Sequence, residues 1–217
     1  MQTLAPDLKS TVATSLAQAP IIAVVRHQDR AVATGQALAF MRHGLEMIEV
    51  TFTVPGATEL VRELLALRPA GSAIRIGMGT VTTAARAREA VAAGSEFIVT
   101  PNVSAAVAGI AREHGLFLCM GGLTPSELVA AHELGADLLK VYPLPPVGGP
   151  AYLSVVRQPL GDLAPMLAGG GFGIEEIPAY RAAGAVAFGI GAPLVGADDS
   201  VTSRNIQRAL TLARGGQ

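Results

Sequence analysis

The 217 residues carry 16 Lys and Arg against 17 Asp and Glu, for a formal charge of −1, and half of them are hydrophobic. This balance excludes a nucleic-acid surface, which needs clustered cations. It also excludes a disordered chain, because an aliphatic chain of this length can bury a large core. The lone cysteine, Cys119, leaves no intramolecular disulfide and gives no sign of an oxidising compartment.

The stretch from Met1 to Pro20 contains Asp7 and Lys9 and no continuous apolar block, so it reads as a short helix and not as a signal peptide. Apolar runs stay too short to span a bilayer, and a soluble cytoplasmic protein with no membrane partner is expected. From there the same unit repeats. Strand Ile21–Val25 leads to helix Arg30–Arg42, Met47–Thr51 to Ala57–Leu67, Ile74–Gly77 to Thr83–Ala93, and Phe97–Thr100 to Ser104–His114. Leu116–Met120 then leads to Ser126–Leu134, Asp137–Val141 to Ala151–Arg157, Pro165–Ala168 to Glu175–Ala183, and Val186–Ile190 to a closing helix Ser203–Arg214. Several helices stop at a glycine (Gly44, Gly94, Gly115, Gly135, Gly184), as left-handed C′ positions prefer.

The strands are continuous apolar runs, the pattern of parallel strands covered on both faces. Eight such units without a linker predict one α/β domain over residues 1–217, a (β/α)8 TIM barrel with a short N-terminal helix. An open doubly wound sheet is the competitor. Neither Gly-x-Gly-x-x-Gly nor a P-loop pattern follows the first strand, which leaves dinucleotide and nucleotide readings weak.

In a parallel barrel, chemistry collects where strands end. The strand ends here supply Arg26, then Glu49 and Thr51, then Gly77-Met78-Gly79-Thr80, then Thr100-Pro101-Asn102. They continue with Lys140-Val141-Tyr142, Gly169-Gly170-Gly171 and Gly189-Ile190-Gly191-Ala192. Lys140 follows Leu138 and Leu139 and is the only lysine besides Lys9. Desolvation favours an amine's neutral form, which attacks ketones to give imines. A strand-end ion pair is the plain alternative. Glu49, between Ile48 and Val50, would face Lys140 across the mouth and could shuttle protons. Its alternative is a buried pair with a lysine or arginine. Arg26 suits bidentate contact with a carboxylate, and Thr80 suits a hydrogen bond to one. The glycine runs at 169–171 and 189–191 let backbone N–H groups approach an anion. The four histidines and Cys119 show no metal-ligand spacing, so no metal is expected.

With these residues in place, the chain resembles the class I aldolases for 2-keto-3-deoxy-6-phosphogluconate, its galactonate epimer and 4-hydroxy-2-oxoglutarate. The resemblance rests on Gly44 to Phe52 around Glu49 and on Gly135 to Pro143 around Lys140. Gly77-Met78-Gly79-Thr80-Val81, Thr100-Pro101-Asn102 and Gly148-Gly149-Pro150 with Tyr152 add to it. It implies a Schiff base on Lys140, proton transfer by Glu49, and pyruvate-carboxylate binding by Thr80 and an arginine. Thr51, Pro101 and Tyr142 would line the substrate, and Gly169, Gly170, Gly191 and Ala192 would hold its phosphate. It further implies a small sugar-acid substrate, pyruvate as product, a homotrimer, and no metal or organic cofactor. Four positions depart from the family pattern: Thr53 stands where an arginine is usual, Leu144 replaces a small residue, and Ala168 and Ala192 replace hydroxyl residues. With Arg26 retained, the pattern is closer to the galactonate branch. Other readings are an aldolase for 4-hydroxy-2-oxoglutarate or an unphosphorylated acid, a phosphosugar isomerase or synthase, and a non-catalytic ligand-binding barrel.

Overall fold

Eight apolar runs that bury both faces have a simple solution, a sheet closed on itself with helices outside. The computed structural model describes residues 7–216 and has this form. Strands β1 (Ile21–Val25), β2 (Met47–Thr51), β3 (Arg75–Gly79), β4 (Phe97–Val99), β5 (Phe117–Gly122), β6 (Leu138–Val141), β7 (Met166–Gly169) and β8 (Ala187–Ile190) pair in parallel in chain order. β8 returns to β1, which closes the barrel.

The helices between strands are α2 (Arg30–Arg42), α3 (Ala57–Leu67), α4 (Ala84–Ala92), α5 (Ala105–Glu113), α6 (Pro125–Glu133), α7 (Pro150–Arg157) and α8 (Ile177–Ala182). Helix α9 (Asp199–Arg214) follows the last strand, and α1 (Leu8–Gln18) precedes the first. The expected N-terminal helix therefore exists from Leu8, while positions 1–6 of that expectation lie outside the described residues. Among the described residues no helix is long and apolar enough to cross a membrane.

Two apolar layers follow from strand alternation. Outward strand residues such as Ile48, Val50, Ile76 and Met120 pack beneath the helices. Inward residues form a separate cluster of Ile22, Met47, Phe97, Val99, Phe117, Cys119, Leu138, Leu167 and Ala187. Val12 and Leu16 of α1 join this inner cluster and close the N-terminal end of the barrel. Full burial of a side chain such as Val12 or Met47 contributes roughly 1.5–3 kcal/mol. The bottom of the barrel is thus a plug.

Element limits differ from expectation in instructive places. β3 runs through Gly77 to Gly79 instead of stopping at Gly77, and β5 continues through Gly121-Gly122. Helix α9 starts at Asp199 because the Asp198 side chain accepts a hydrogen bond from the Val201 amide, at 2.8 Å. The segment expected as one helix at Glu175–Ala183 begins with a 3-10 turn at Ile174–Glu176. The five expected helix-stop glycines all have positive φ.

Candidate active site

Strand β2 places Met47, Glu49 and Thr51 on one face. Since Met47 lies in the inner cluster, Glu49 rises one step above it into the top of the barrel. The same two-residue step on β6 puts Lys140 above Leu138. β2 and β6 are four strands apart in a ring of eight, so the two side chains approach from opposite walls. Between them lies a cavity of about 390 Å³, within the usual size of small-molecule sites. Arg26, Tyr142, Gly169 to Phe172 and Gly189 to Pro193 complete its upper wall, and Ile22, Val24, Val99 and Leu167 make an apolar floor.

Glu49 is only 2% exposed. Burial pushes its carboxyl above the usual carboxylate range, and the positive charges of Lys140 and Arg26 oppose that shift without cancelling it. Neither Glu49 nor Lys140 has an ion-pair partner within 4.0 Å among the described residues. The Lys140 amine instead lies 4.8 Å from the centre of the Tyr142 ring, in cation–π contact. The alternative of a structural pair for either residue thus finds no partner. Beneath them, burial pushes the Cys119 thiol up to about 12, which leaves it a protonated packing group at neutral pH. Among the described residues, no group of three or more His, Cys, Asp or Glu side chains is placed to hold a metal ion.

Two glycines make room for this pair. A Cβ on Gly79 would occupy the space of the Glu49 carboxylate itself. A Cβ on Gly169 would stand 3.2 Å from Cε of Lys140. Both glycines lie just past the expected strand ends, whereas each is a strand residue whose missing side chain leaves space for a neighbour's functional group.

Arg26 and Thr80 meet at the rim, where an Arg26 guanidinium N–H donates to Oγ1 of Thr80 at 3.2 Å. Thr80 has φ of 60° and is the only non-glycine residue at positive φ among the described residues. A left-handed β-branched residue carries strain on the order of 1–3 kcal/mol, a feature that clusters at functional sites. Thr51 sits below the rim with its hydroxyl donating to the Val25 carbonyl at 3.0 Å and 2.7 Å from the Thr53 hydroxyl. It therefore steadies the start of the Arg26 loop and does not line the cavity. Pro101 also lies outside the lining, against Gly121 of the neighbouring strand. Lys140, Glu49, Arg26, Tyr142, Gly169, Gly170, Gly191 and Ala192 all line it. Phe172, Pro193 and the apolar floor line the cavity beyond the residues expected from the sequence. Phe172 directly follows the glycine run, and that adjacency was the available signal.

A family model described as KDPG and KHG aldolase matches residues 12–212. A probable 2-dehydro-3-deoxy-6-phosphogalactonate aldolase of Rhizobium meliloti (strain 1021) is 34% identical over 176 residues, covering 81% of each chain. The 2-dehydro-3-deoxy-6-phosphogalactonate aldolase of Escherichia coli (strain K12) is 28% identical, covering 90% of this chain and 93% of its own. A solved native KDPGal structure superposes with a TM-score of 0.80 at 26% identity, covering 90% of this chain and 94% of the other. The chain is an enzyme, an aldolase, and it belongs to the KDPG and KHG aldolase family.

Proposed function

We propose that the protein is a class I aldolase that cleaves a 2-keto-3-deoxy-6-phospho sugar acid, of gluconate or galactonate type, to pyruvate and glyceraldehyde 3-phosphate through an imine on Lys140. The observation that carries this reading is the unpaired Lys140 amine inside a cavity, opposite a buried Glu49 that is also unpaired.

The Lys140 nitrogen attacks the C2 ketone, and the carbinolamine loses water to give an iminium. Glu49 supplies and removes the protons of these steps, a role that a carboxyl raised above its ordinary value suits. As base it takes the proton of the C4 hydroxyl. The C3–C4 bond breaks with its electrons moving into the iminium, which becomes an enamine, and the aldehyde leaves. Protonation at C3 and hydrolysis then return pyruvate and the free amine. Arg26 and the Thr80 hydroxyl take the substrate carboxylate, with Tyr142 packed beside it. Backbone N–H groups of Gly169 to Gly171 and of Gly191 and Ala192 take the phosphate end, which here has no hydroxyl from residue 168 or 192. A homotrimer in the cytoplasm, with no metal or organic cofactor, is part of the same reading.

The test is intact-protein mass after incubation with pyruvate and borohydride. Wild type should gain one reduced pyruvyl group and Lys140→Ala none, and glyceraldehyde 3-phosphate should then be the preferred aldehyde in the synthetic direction. A folded wild type that gains no adduct would refute the imine.

A further inference from the structure

Outside the cavity lies an arginine that its own helix does not explain. Arg86 sits in the first turn of α4, where the Thr83 hydroxyl caps its amide. A cation in that turn opposes the helix dipole. Its guanidinium points back over the loop before the helix and donates to the Thr80 carbonyl at 3.2 Å and to the Thr82 hydroxyl at 3.1 Å. It also lies 5.3 Å from the centre of the Phe52 ring, and the Phe52 amide donates to the carbonyl of Gly79, the residue before Thr80. These contacts converge on Thr80, the one strained residue of the rim.

A left-handed threonine persists only where its surroundings hold it. The Thr80 carbonyl is the handle that Arg86 grips, and the Thr80 hydroxyl meets Arg26; Thr80 does not itself line the cavity, whereas Arg26 does. While it accepts from Arg26, that hydroxyl keeps its own proton to donate. We propose that Arg86 is a positioning residue for carboxylate recognition, locking Thr80 in the conformation that presents its hydroxyl beside Arg26. The inference rests on the reading above in which Arg26 and Thr80 hold the substrate carboxylate. Arg86 does not line the cavity and acts only through Thr80.

The experiment is borohydride trapping on Lys140 across a series of concentrations of two ketones. Pyruvate carries the carboxylate, and hydroxyacetone has a hydroxymethyl group in its place. Arg86→Ala removes the whole side chain. Arg86→Met keeps an unbranched side chain of similar reach and removes the guanidinium with its donors, so it decides the question if Arg86→Ala is unstable. Both variants should need about tenfold more pyruvate for half-maximal trapping, the effect expected from losing a charged hydrogen bond. The maximal trapping rate and the hydroxyacetone dependence should stay at wild-type values. An unchanged pyruvate dependence in Arg86→Met would overturn the inference. So would an equal loss for both ketones, which is the mark of general structural damage. Absence of any adduct on wild type would sink the imine reading and this inference with it.

Discussion

The chain has two lysines, and the barrel puts them at opposite ends in opposite circumstances. Lys9, on α1 at the closed end, donates to both carboxylate oxygens of Asp137, at 3.0 and 2.9 Å. Asp137 stands just before β6 and also accepts the Leu118 amide at 2.8 Å. Three residues later the same strand presents Lys140 at the open end, where no carboxylate among the described residues lies within ion-pair distance. One lysine is spent on holding a helix against the plug, and the other is kept free over a cavity. Both lysines are half-buried, so the comparison turns on pairing: Lys9 has a carboxylate partner, and the amine proposed to be reactive has none among the described residues.

The largest effects should come from breaking the open end. Lys140→Ala removes the amine proposed to form the covalent intermediate. Pyruvate trapping and aldol cleavage should vanish while the melting temperature stays near wild type, as mass spectrometry and calorimetry would show. Glu49→Gln keeps the shape but loses the proton carrier, and kcat should fall roughly 10²–10⁴-fold. That variant also carries a stability signature. Because the folded carboxyl is raised above its ordinary value, the fold binds more protons at Glu49 than the unfolded chain does. The associated stability is fully present below the unfolded value of 4.5 and is lost as pH rises through the folded one. Wild type should therefore lose melting temperature relative to Glu49→Gln as pH climbs from about 4.5 toward neutrality. A difference independent of pH would mean that Glu49 is not raised.

Much of this open end was legible in the sequence. An isolated Lys140 after two leucines and a Glu49 between two β-branched residues are costly placements, and only a site or an ion pair explains them. The strand order followed from the repeating unit. What stayed hidden depended on three-dimensional neighbours. The third strand is expected to end at Gly77, yet it continues to Gly79, and the two glycines are cleared for Phe97 and Glu49. Thr51 read as a rim residue, while its hydroxyl is committed to the Val25 carbonyl. The left-handed backbone of Thr80 has no sequence signature at all, since a threonine gives no hint of positive φ.

The two clearing glycines offer an intermediate break. In Gly79→Ala the new methyl group claims the Glu49 position, and the carboxylate must move by about an ångström or more. Misplacement of that size costs about 10²-fold in rate. Gly169→Ala meets only the flexible Lys140 stem, at 3.2 Å, so the chain can shift and kcat should fall only a few-fold. Steady-state kinetics on both variants would test the ordering. Equal losses would show that the space around Lys140 is as rigid as that around Glu49.

The smallest effect should come from the closed end. The Lys9–Asp137 pair is partly exposed, with side chains 32% and 25% accessible, so solvent screening limits its contribution to about 0.2–1 kcal/mol. Lys9→Ala should lower the melting temperature by only a few degrees in a chain of this size. Asp137→Ala should cost more, because it also strips the Leu118 amide of its acceptor. Neither change reaches the cavity, so pyruvate trapping on Lys140 should keep its wild-type concentration dependence in both. If Lys9→Ala shifted that dependence, the plug would be setting the position of β6 along the barrel axis. The two lysines would then be mechanically coupled, and the division between a structural and a reactive end would fail.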